Sequence, residues 1–248
     1  MDVIISGYLG RMGKVLLDSI ADDDELNVVM GFDIVSEMDG ELPICKLPDY
    51  KTIKADVIID FSNFQAIPNL MDYCIETKTP VVICTTALGD EEKAKMRKAS
   101  ESVAVFNSSN MSLGINLIAK MLKLATPALE ESFNVEIIEK HHNKKIDSPS
   151  GTAIMLADAV NEACVTKKDY IYGRHSKDDV PKMTDLGIHA IRGGTLPGEH
   201  SVLFAGPDEV IEIKHTVYSR KVFATGALAA AKFIAGKAPG MYSMNDML

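Results

Sequence analysis

Residues 3–17 read VIISGYLGRMGKVLL, and this stretch decides the fold of the N-terminal half. A short β-branched run leads directly into glycines at positions 7, 10 and 13, and a helical pattern of apolar residues follows. Glycines in such a turn permit positive φ angles and let backbone N–H groups approach a pyrophosphate, which the N-terminus of a helix also favours. The stretch predicts a strand, a phosphate-binding turn and a helix, in that order.

The glycine spacing alone does not decide the function of this turn. It is one residue longer in its first interval than G-x-G-x-x-G, and an ordinary tight turn between strand and helix fits it too. Asp33 favours a dinucleotide, because it ends the next predicted strand 20 residues after Gly13, where such folds carry the acid that binds the adenosine ribose. The predicted cofactor-binding residues here are Gly7, Tyr8, Leu9, Gly10, Arg11, Met12 and Asp33.

The same residues bear on the choice between NADH and NADPH. The Asp33 carboxylate would repel a 2′-phosphate, and Ile34 after it adds no positive charge, so NADH is somewhat favoured. Arg11 lies in the turn and can pair with that phosphate, which leaves NADPH open.

The rest of the N-terminal half alternates strand and helix patterns. Strands are predicted over residues 3–6, 26–32, 56–60, 81–84 and 103–106, and helices over 11–21, 64–77 and 90–101. Apolar runs such as Val57-Ile-Ile lack polar alternation, which is typical of parallel strands covered on both faces. We predict an α/β fold with a Rossmann-type doubly wound parallel sheet of about five strands.

Polar residues follow the fourth and fifth predicted strands. Ligands of open α/β sheets bind beyond the carboxyl ends of the strands, so these residues are expected near the nicotinamide half of the cofactor. Plain turn chemistry explains them as well, and their position in the fold favours the first interpretation. They are Cys84, Thr85, Thr86, Ser108, Ser109, Asn110 and Met111.

The pattern changes after residue 110. Helices are predicted over 114–129 and 152–164, a strand over 133–139, and antiparallel strands over 188–191, 201–204 and 210–218. A helix rich in alanine and glycine over 222–234 can pack closely against a neighbour and return to the first domain. We predict a dinucleotide-binding domain over residues 1–110, a second α+β domain over 111–219 and a returning C-terminal helix within 220–248.

Residues 139–153, EKHHNKKIDSPSGTA, concentrate positive charge in an acidic chain. The loop ends in helix-starting residues, whose free N–H groups can hold a carboxylate or phosphate. A solvated charge run is one alternative, and a metal site at His141 and His142 is another. No metal is predicted, since adjacent histidines point apart and no further ligands lie nearby. Because histidine titrates near neutrality, we favour proton transfer on a bound small-molecule anion.

Composition restricts the possible partners. The 248 residues include 35 acidic and 26 basic ones, for a formal charge of −9, which argues against binding nucleic acid or an anionic membrane surface. No apolar run approaches the roughly 18 residues of a membrane span, and no leader is recognisable, so a cytoplasmic protein is expected. The four cysteines show no paired spacing, which predicts reduced thiols.

Taken together, these motifs resemble the 4-hydroxy-tetrahydrodipicolinate reductase (dihydrodipicolinate reductase) family of lysine and diaminopimelate biosynthesis. The resemblance covers nearly the whole chain and rests on the 7–13 turn and on residues 139–153, which match E-x-H-H-x-x-K-x-D-x-P-S-G-T-A. It continues at Ile191-Arg-Gly-Gly, at Gly198-Glu-His and over residues 215–224. The family reduces 4-hydroxy-tetrahydrodipicolinate to tetrahydrodipicolinate with NADH or NADPH and releases water.

The resemblance implies roles for single residues. His141 would transfer a proton and Lys145 would donate one, while His142, Gly151 and Thr152 would hold the carboxylates of a dicarboxylate substrate. It also implies the cofactor residues named above, and a second domain that binds substrate and assembles a homotetramer. The chain departs from the family pattern at Cys84 and Ala87, where glycine is usual, and at Ile34, where NADPH-using members often have a basic residue.

Two rival functions remain open from the sequence. Another dehydrogenase of amino or imino acids, such as an aspartate dehydrogenase, explains the turn but not the two histidines beside Lys145. A regulatory protein that binds NAD(H) without turnover explains residues 7–33 equally well and leaves the basic loop without a role.

Overall fold

The computed structural model describes residues 1–47 and 53–248. These residues form two compact units, one of residues 1–113 with 220–248 and one of residues 114–219. In chain order the elements are β1 (Asp2–Ser6), α1 (Arg11–Ala21), β2 (Asn27–Asp33), β3 (Glu37–Asp39), β4 (Leu42–Lys46), β5 (Val57–Asp60), α2 (Ile67–Thr77), β6 (Val81–Ile83), α3 (Asp90–Ser100), β7 (Ala104–Asn107), α4 (Leu113–Leu129), β8 (Asn134–His141), α5 (Gly151–Ala163), β9 (Asp169–Tyr172), β10 (Asp185–Arg192), β11 (Glu199–Ala205), β12 (Val210–Thr216), α6 (Lys221–Ile234), β13 (Gly240–Tyr242) and α7 (Met244–Met247).

The first unit contains a mostly parallel sheet. Its described strands run in the order β13-β7-β6-β5-β1-β2-β4-β3, and β3 is antiparallel to β4 while the other pairs are parallel. The α/β prediction is confirmed, but eight strands replace the expected five or so. The additional strands carry weaker signals: β3 and β13 have three residues each, β3 is exposed throughout, and the apolar run of β4 contains Pro43.

Both faces of this sheet are covered, as its apolar strands predicted. On β1, Val3 and Ile5 pack in one core with α1 and α6, while Ile4 packs in another with α2 and α3. Helix α6 buries a row of small residues, and a Cβ on Gly226 would collide with the carbonyl oxygen of Met111. The small side chains of α6 therefore permit the close packing that the sequence suggested.

The second unit contains a mixed sheet in the order β12-β11-β8-β10-β9. Its core lies between one face of the sheet and helices α4 and α5, which contribute Ile115, Leu122, Leu156 and Val160. The pairs β8-β11 and β11-β12 are antiparallel, as expected. The expectation was wrong for β10, which is parallel to both β8 and β9, because α5 and β9 intervene and form a long crossover from β8.

Among the described residues, no helix is both long enough and apolar enough to cross a membrane.

Candidate active site

The glycine turn after β1 excludes side chains. Gly7 has a φ of +80°, and a Cβ on it would lie 2.7 Å from the carbonyl oxygen of Phe61. The N–H groups of Gly7 and Tyr8 donate to the carbonyl oxygen of Phe32 over 2.9 and 3.2 Å, which ties the turn to the end of β2. Hydrogen bonds to β2 therefore hold the backbone of the turn in place, and Gly7 adds no side chain to it.

Gly10 and Gly13 determine how α1 begins. Gly10 is the extended N-cap residue of α1, and no side chain caps the helix there. A Cβ on Gly13 would collide with the carbonyl oxygens of Gly7 and Tyr8, so only glycine lets α1 start this close to the turn. The first helical turn carries no acidic side chain, which leaves its N-terminus favourable for a phosphate.

Asp33, at the end of β2, is bonded to this turn. Its Oδ2 accepts a hydrogen bond from the N–H of Leu9 over 2.7 Å, and its Oδ1 accepts one from the N–H of Ile34 over 2.8 Å. A cavity of about 640 Å³ is lined by Gly7, Leu9, Gly10, Asp33, Ile34 and Lys46, among others. The structure thus brings three residues of the turn and the predicted ribose-binding acid together at one cavity.

The other predicted residues of the turn lie differently. The Tyr8 side chain is buried beside Gly31, and its hydroxyl donates to Oδ2 of Asp39 over 2.8 Å. Burial, together with the Asp39 carboxylate, raises the pKa of Tyr8 to about 12. Arg11 is exposed and Met12 is half-buried at the start of α1. The side chain of Tyr8 therefore stabilises the fold, and only its backbone is part of the glycine turn.

Residues 84–86 follow β6 and are held by a buried acid. Asp60, at the end of β5, has no exposed surface and accepts hydrogen bonds from Oγ1 of Thr85 over 2.6 Å and from Oγ of Ser62 over 2.5 Å. Burial raises the pKa of Asp60, although these hydroxyl groups lower it. Burial also raises the pKa of the Cys84 thiol, whereas Thr86 is exposed. Asp60 therefore fixes the orientation of Thr85 at the end of the sheet.

Residues 108–111 follow the neighbouring strand β7. The N–H of Ser108 donates to the carbonyl oxygen of Ile83 over 3.2 Å, and its Oγ donates to the carbonyl oxygen of Asn110 over 2.7 Å. Ser109 is exposed, and Met111 is buried. The segments 84–86 and 108–111 thus meet at the carboxyl ends of adjacent parallel strands, on the same edge of the sheet as the glycine turn.

In the second unit, the buried carboxylate of Glu139 forms hydrogen bonds with two residues of the 139–153 stretch and with one residue of β10. Its Oε2 lies 2.6 Å from Nδ1 of His141 and accepts from Arg192, at the end of β10, over 2.7 Å. Its Oε1 accepts from Arg192 over 2.6 Å and from the N–H of Ser150 over 2.9 Å. Glu139 has no exposed surface, so these contacts replace its hydration.

His200 on β11 extends this network. Its Nε2 lies 2.8 Å from Oγ of Ser150, which also accepts from the N–H of Ala153 as the N-cap of α5. The rings of His141 and His200 pack edge to face, with centroids 5.1 Å apart. Burial lowers the pKa of His200 to about 4, so this ring is neutral at neutral pH.

The charges of Glu139 and His141 follow from opposing effects. Burial alone raises the pKa of Glu139, but hydrogen bonds from Arg192, His141 and Ser150 outweigh it and leave the pKa lowered. For His141, burial lowers the pKa, and the attraction of Glu139 only partly opposes this. An ionised carboxylate therefore faces a histidine that is mostly neutral at neutral pH.

The remaining predicted residues lie at the loop and at the start of α5. Lys145 is half-buried, and its Nζ donates to Oδ1 of Asp147 over 2.7 Å. Within the described ranges, the buried Nδ1 of His142 has no hydrogen-bond partner. Gly151 and Thr152 open α5, and a Cβ on Gly151 would meet no atom within 4 Å. A buried ring nitrogen without a protein partner suits a polar ligand.

Known proteins are similar to this chain over nearly its whole length. Residues 1–111 match the family described as dihydrodipicolinate reductase, N-terminus, and residues 114–248 match dihydrodipicolinate reductase, C-terminus. A 4-hydroxy-tetrahydrodipicolinate reductase of Caldanaerobacter subterraneus is 48% identical, over 99% of this chain and 97% of its own length. The chain belongs to the dihydrodipicolinate reductase family.

Further members of this family agree with the match. The 4-hydroxy-tetrahydrodipicolinate reductase of Clostridium tetani is 43% identical over 99% of this chain and 96% of its own length. Among solved structures, a dipicolinate-bound dihydrodipicolinate reductase from Paenisporosarcina has a TM-score of 0.83 at 22% identity, covering 100% of this chain and 99% of that one. This likeness supports the two-domain Rossmann-type fold. Dihydrodipicolinate reductases are pyridine-nucleotide-dependent oxidoreductases, and so is this chain.

One departure from the family pattern has a structural consequence. Ala87, where the family often has glycine, adopts a φ of +58°, in the left-handed region that disfavours side chains. Cys84, a second departure, is buried. The strained position explains the usual glycine at 87, and the chain tolerates alanine there.

Sequence reasoning missed four residues at these sites. Lys46 lines the cavity and pairs in register with Asp33, but β4 itself was not predicted. Asp60 was counted only as the end of a strand. Arg192 and His200 stand 53 and 61 positions after Glu139, and only the pairing of β8 with β10 and β11 brings them close. A charged residue at or just after the end of a predicted strand is a signal for Asp60 and Arg192, and the resemblance already included Arg192 and His200 without giving them a role.

Proposed function

We propose that this dihydrodipicolinate reductase reduces 4-hydroxy-tetrahydrodipicolinate to tetrahydrodipicolinate with NADH or NADPH and releases water, in the lysine and diaminopimelate route. The observation that carries the proposal is a relative of that name, 48% identical over 99% of the chain. The glycine turn and the basic loop give the chain a candidate site for each of the two reactants.

The glycine turn fits a dinucleotide. Side chains at positions 7 and 13 would collide with the protein's own backbone, so glycine lets the turn pack tightly against the start of α1, whose N–H groups would bind the pyrophosphate. Gly7 to Met12 would hold the pyrophosphate and Asp33 the adenosine ribose, while Thr85 and residues 108–111 would border the nicotinamide. When bound, the nicotinamide supplies the hydride that reduces ring carbon C4 of the substrate.

The choice of nucleotide depends on three charges around the ribose. Asp33 disfavours a 2′-phosphate, and Ile34 contributes no charge to oppose it. Arg11 is exposed at the start of α1, and Lys46 lines the cavity beside Asp33. We propose that NADH is somewhat favoured and that the two cations allow NADPH to bind as well.

The basic loop supplies the groups for the dicarboxylate. His142, whose buried Nδ1 has no partner among the described residues, would bind one carboxylate, and the N–H groups of Gly151 and Thr152 would bind another. Lys145 would donate a proton to the ring, and His141 would transfer protons as the substrate loses water. Fixing both carboxylates orients the ring before the reaction and reduces the entropy that the reaction must overcome.

An oxidation assay tests this proposal. Pyruvate is condensed with aspartate semialdehyde in the cuvette, and NADH absorbance is followed after the protein is added. Loss of absorbance that requires both substrates supports the reductase and excludes a regulatory protein that only binds NAD(H). Oxidation of NADH with an amino-acid-derived imine instead would favour another dehydrogenase.

Two further features remain part of this proposal. The resemblance of the sequence implies a homotetramer assembled through residues 111–219, and a biosynthetic role implies the cytoplasm. Sedimentation of the purified protein tests the assembly, since a stable monomer would contradict it.

A further inference from the structure

Glu139 and Arg192 have no part in the proposed chemistry, yet Glu139 contacts the residue proposed to move protons and Arg192 binds Glu139. The Glu139 carboxylate accepts two hydrogen bonds from Arg192, one from His141 and one from Ser150, all between 2.6 and 2.9 Å. Arg192 also donates to the carbonyl oxygen of Asp147 over 2.7 Å. The pair thus connects the ends of β8 and β10 with the loop and with the N-cap of α5.

These contacts determine which nitrogen of His141 is left for a substrate. Glu139 and His141 are two residues apart on β8, so their side chains share one face of the strand. Glu139 holds Nδ1 of His141, so Nε2 is the ring nitrogen left for a substrate. Nε2 faces Gly198, where a Cβ would lie only 3.3 Å away. Gly198, with a φ of +141°, therefore keeps the space beside Nε2 open.

We infer that Glu139 and Arg192 are positioning residues for His141: Glu139 holds Nδ1 so that Nε2 meets the substrate, and Arg192 offsets the charge of the Glu139 carboxylate. The inference rests on the proposed function, which assigns proton transfer to His141. It adds an ion pair, absent from the proposed mechanism, that orients the histidine and sets its charge.

The charged and titratable groups around His141 predict opposite effects for the two partners. Glu139 on β8 attracts a proton to the ring, whereas Lys145 in the loop and Arg192 on β10 repel one, and His200 on β11 packs against it. Removing the Glu139 charge should therefore lower the pKa of His141 further. Removing the Arg192 charge should raise it.

The experiment compares Glu139→Gln, Arg192→Met and the double variant with the unchanged enzyme. Histidine NMR titration follows His141 without turnover, and the pH profile of kcat/KM is recorded with saturating NADH. We expect the His141 titration and the profile to move to lower pH in Glu139→Gln and to higher pH in Arg192→Met. The kcat of Glu139→Gln should fall about a hundredfold with an unchanged KM for NADH, because an orienting carboxylate is lost.

The double variant guards against misfolding, since either single variant leaves a buried charge unpaired. With both charges removed, His141 should titrate between the two single variants, and the protein should keep its native circular dichroism spectrum. Arg192→Lys keeps the charge but loses the two-pronged contact. Compared with Arg192→Met, it should return the pH profile toward that of the unchanged enzyme more fully than it returns kcat.

Glu136 offers a matched control on the same strand. It pairs with Arg174 over 2.6 Å and with Nε2 of His189 over 2.7 Å, so it forms a second glutamate, arginine and histidine cluster. Glu136→Gln should leave the kcat and the His141 titration unchanged.

The outcomes separate this inference from the proposed function. If Glu139→Gln and Arg192→Met shift His141 in the same direction, or leave both its titration and the pH profile unmoved, the inference is wrong. An equal loss of kcat in Glu136→Gln would also overturn it. If the unchanged enzyme shows no turnover, the proposed function fails instead, while the NMR titration still tests whether the pair sets the charge of His141.

Discussion

The two units present candidate ligand sites of opposite construction. At the glycine turn of the first unit, the important features are backbone N–H groups, missing side chains and a cavity of about 640 Å³, which Asp33 lines. In the second unit, Glu139, Arg192 and His141 fill the space with charged and polar side chains that bond to one another. The site at the glycine turn therefore depends on the absence of side chains, and the site around Glu139 depends on paired charges.

This difference predicts which kind of substitution should disrupt each site. A glycine turn is sensitive to added atoms, because a new Cβ meets backbone that cannot move aside. A charged network tolerates small changes of volume but not the loss of a partner, because the remaining group is left buried and unpaired. Substitutions matched between the units therefore test whether the comparison holds.

The largest effect is expected at Lys145, the proposed proton donor. Lys145→Ala should lower kcat about a thousandfold, because a positioned general acid is lost, and should leave NADH affinity unchanged. Steady-state turnover and fluorescence titration with NADH measure the two quantities separately.

Lys144→Ala is the matched control for that change, since Lys144 is the adjacent lysine and is exposed. It should alter kcat less than about threefold. If Lys144→Ala and Lys145→Ala lost the same activity, the effect would belong to the charge of the loop as a whole, and Lys145 would have no special role.

The next largest effect concerns space at the glycine turn. Gly13→Ala should lower the free energy of unfolding by about 3 kcal/mol and abolish NADH binding, because its Cβ would meet the carbonyl oxygens of Gly7 and Tyr8. Gly151→Ala is the control in the second unit, where a Cβ meets nothing within 4 Å at the start of α5. Its stability should change by less than about 1 kcal/mol. Urea denaturation compares the two, and similar losses would show that local space does not explain the difference.

The fold of the first unit could be predicted because its determinants are local. Gly13 is required because the carbonyl oxygens of Gly7 and Tyr8, a few residues earlier, leave no room for a Cβ, and the apolar runs of β1, β5 and β6 are contiguous in sequence. The missed strands β3, β4 and β13 depend on neighbours for their stability. The parallel direction of β10 likewise follows from a long crossover, which periodicity within one strand does not reveal.

The candidate sites could be predicted in part for the same reason. His141, His142 and Lys145 lie within five residues of one another, so their grouping is visible in the sequence. Glu139 was visible as the one acid among residues 139–145, but Arg192, which binds it, and His200 come from other strands. Lys46 lines the candidate cofactor site only through the register that sets it beside Asp33. Long-range pairing is what the sequence alone did not provide.

The smallest effect should be seen at Lys46, where the first unit adds charge to a site that otherwise depends on space. Lys46→Gln should weaken NADPH binding about tenfold, since one charge-assisted contact with the 2′-phosphate is lost, and should leave NADH binding within about twofold. Lys98→Gln, on the exposed end of α3, is the control with the same chemical change. Fluorescence titration with both nucleotides at two salt concentrations provides the measurement, because the Lys46 contribution should shrink as salt screens it. If Lys46→Gln weakened both nucleotides equally, Lys46 would act on the shape of the cavity, and Arg11→Gln would then be expected to carry the NADPH-specific loss.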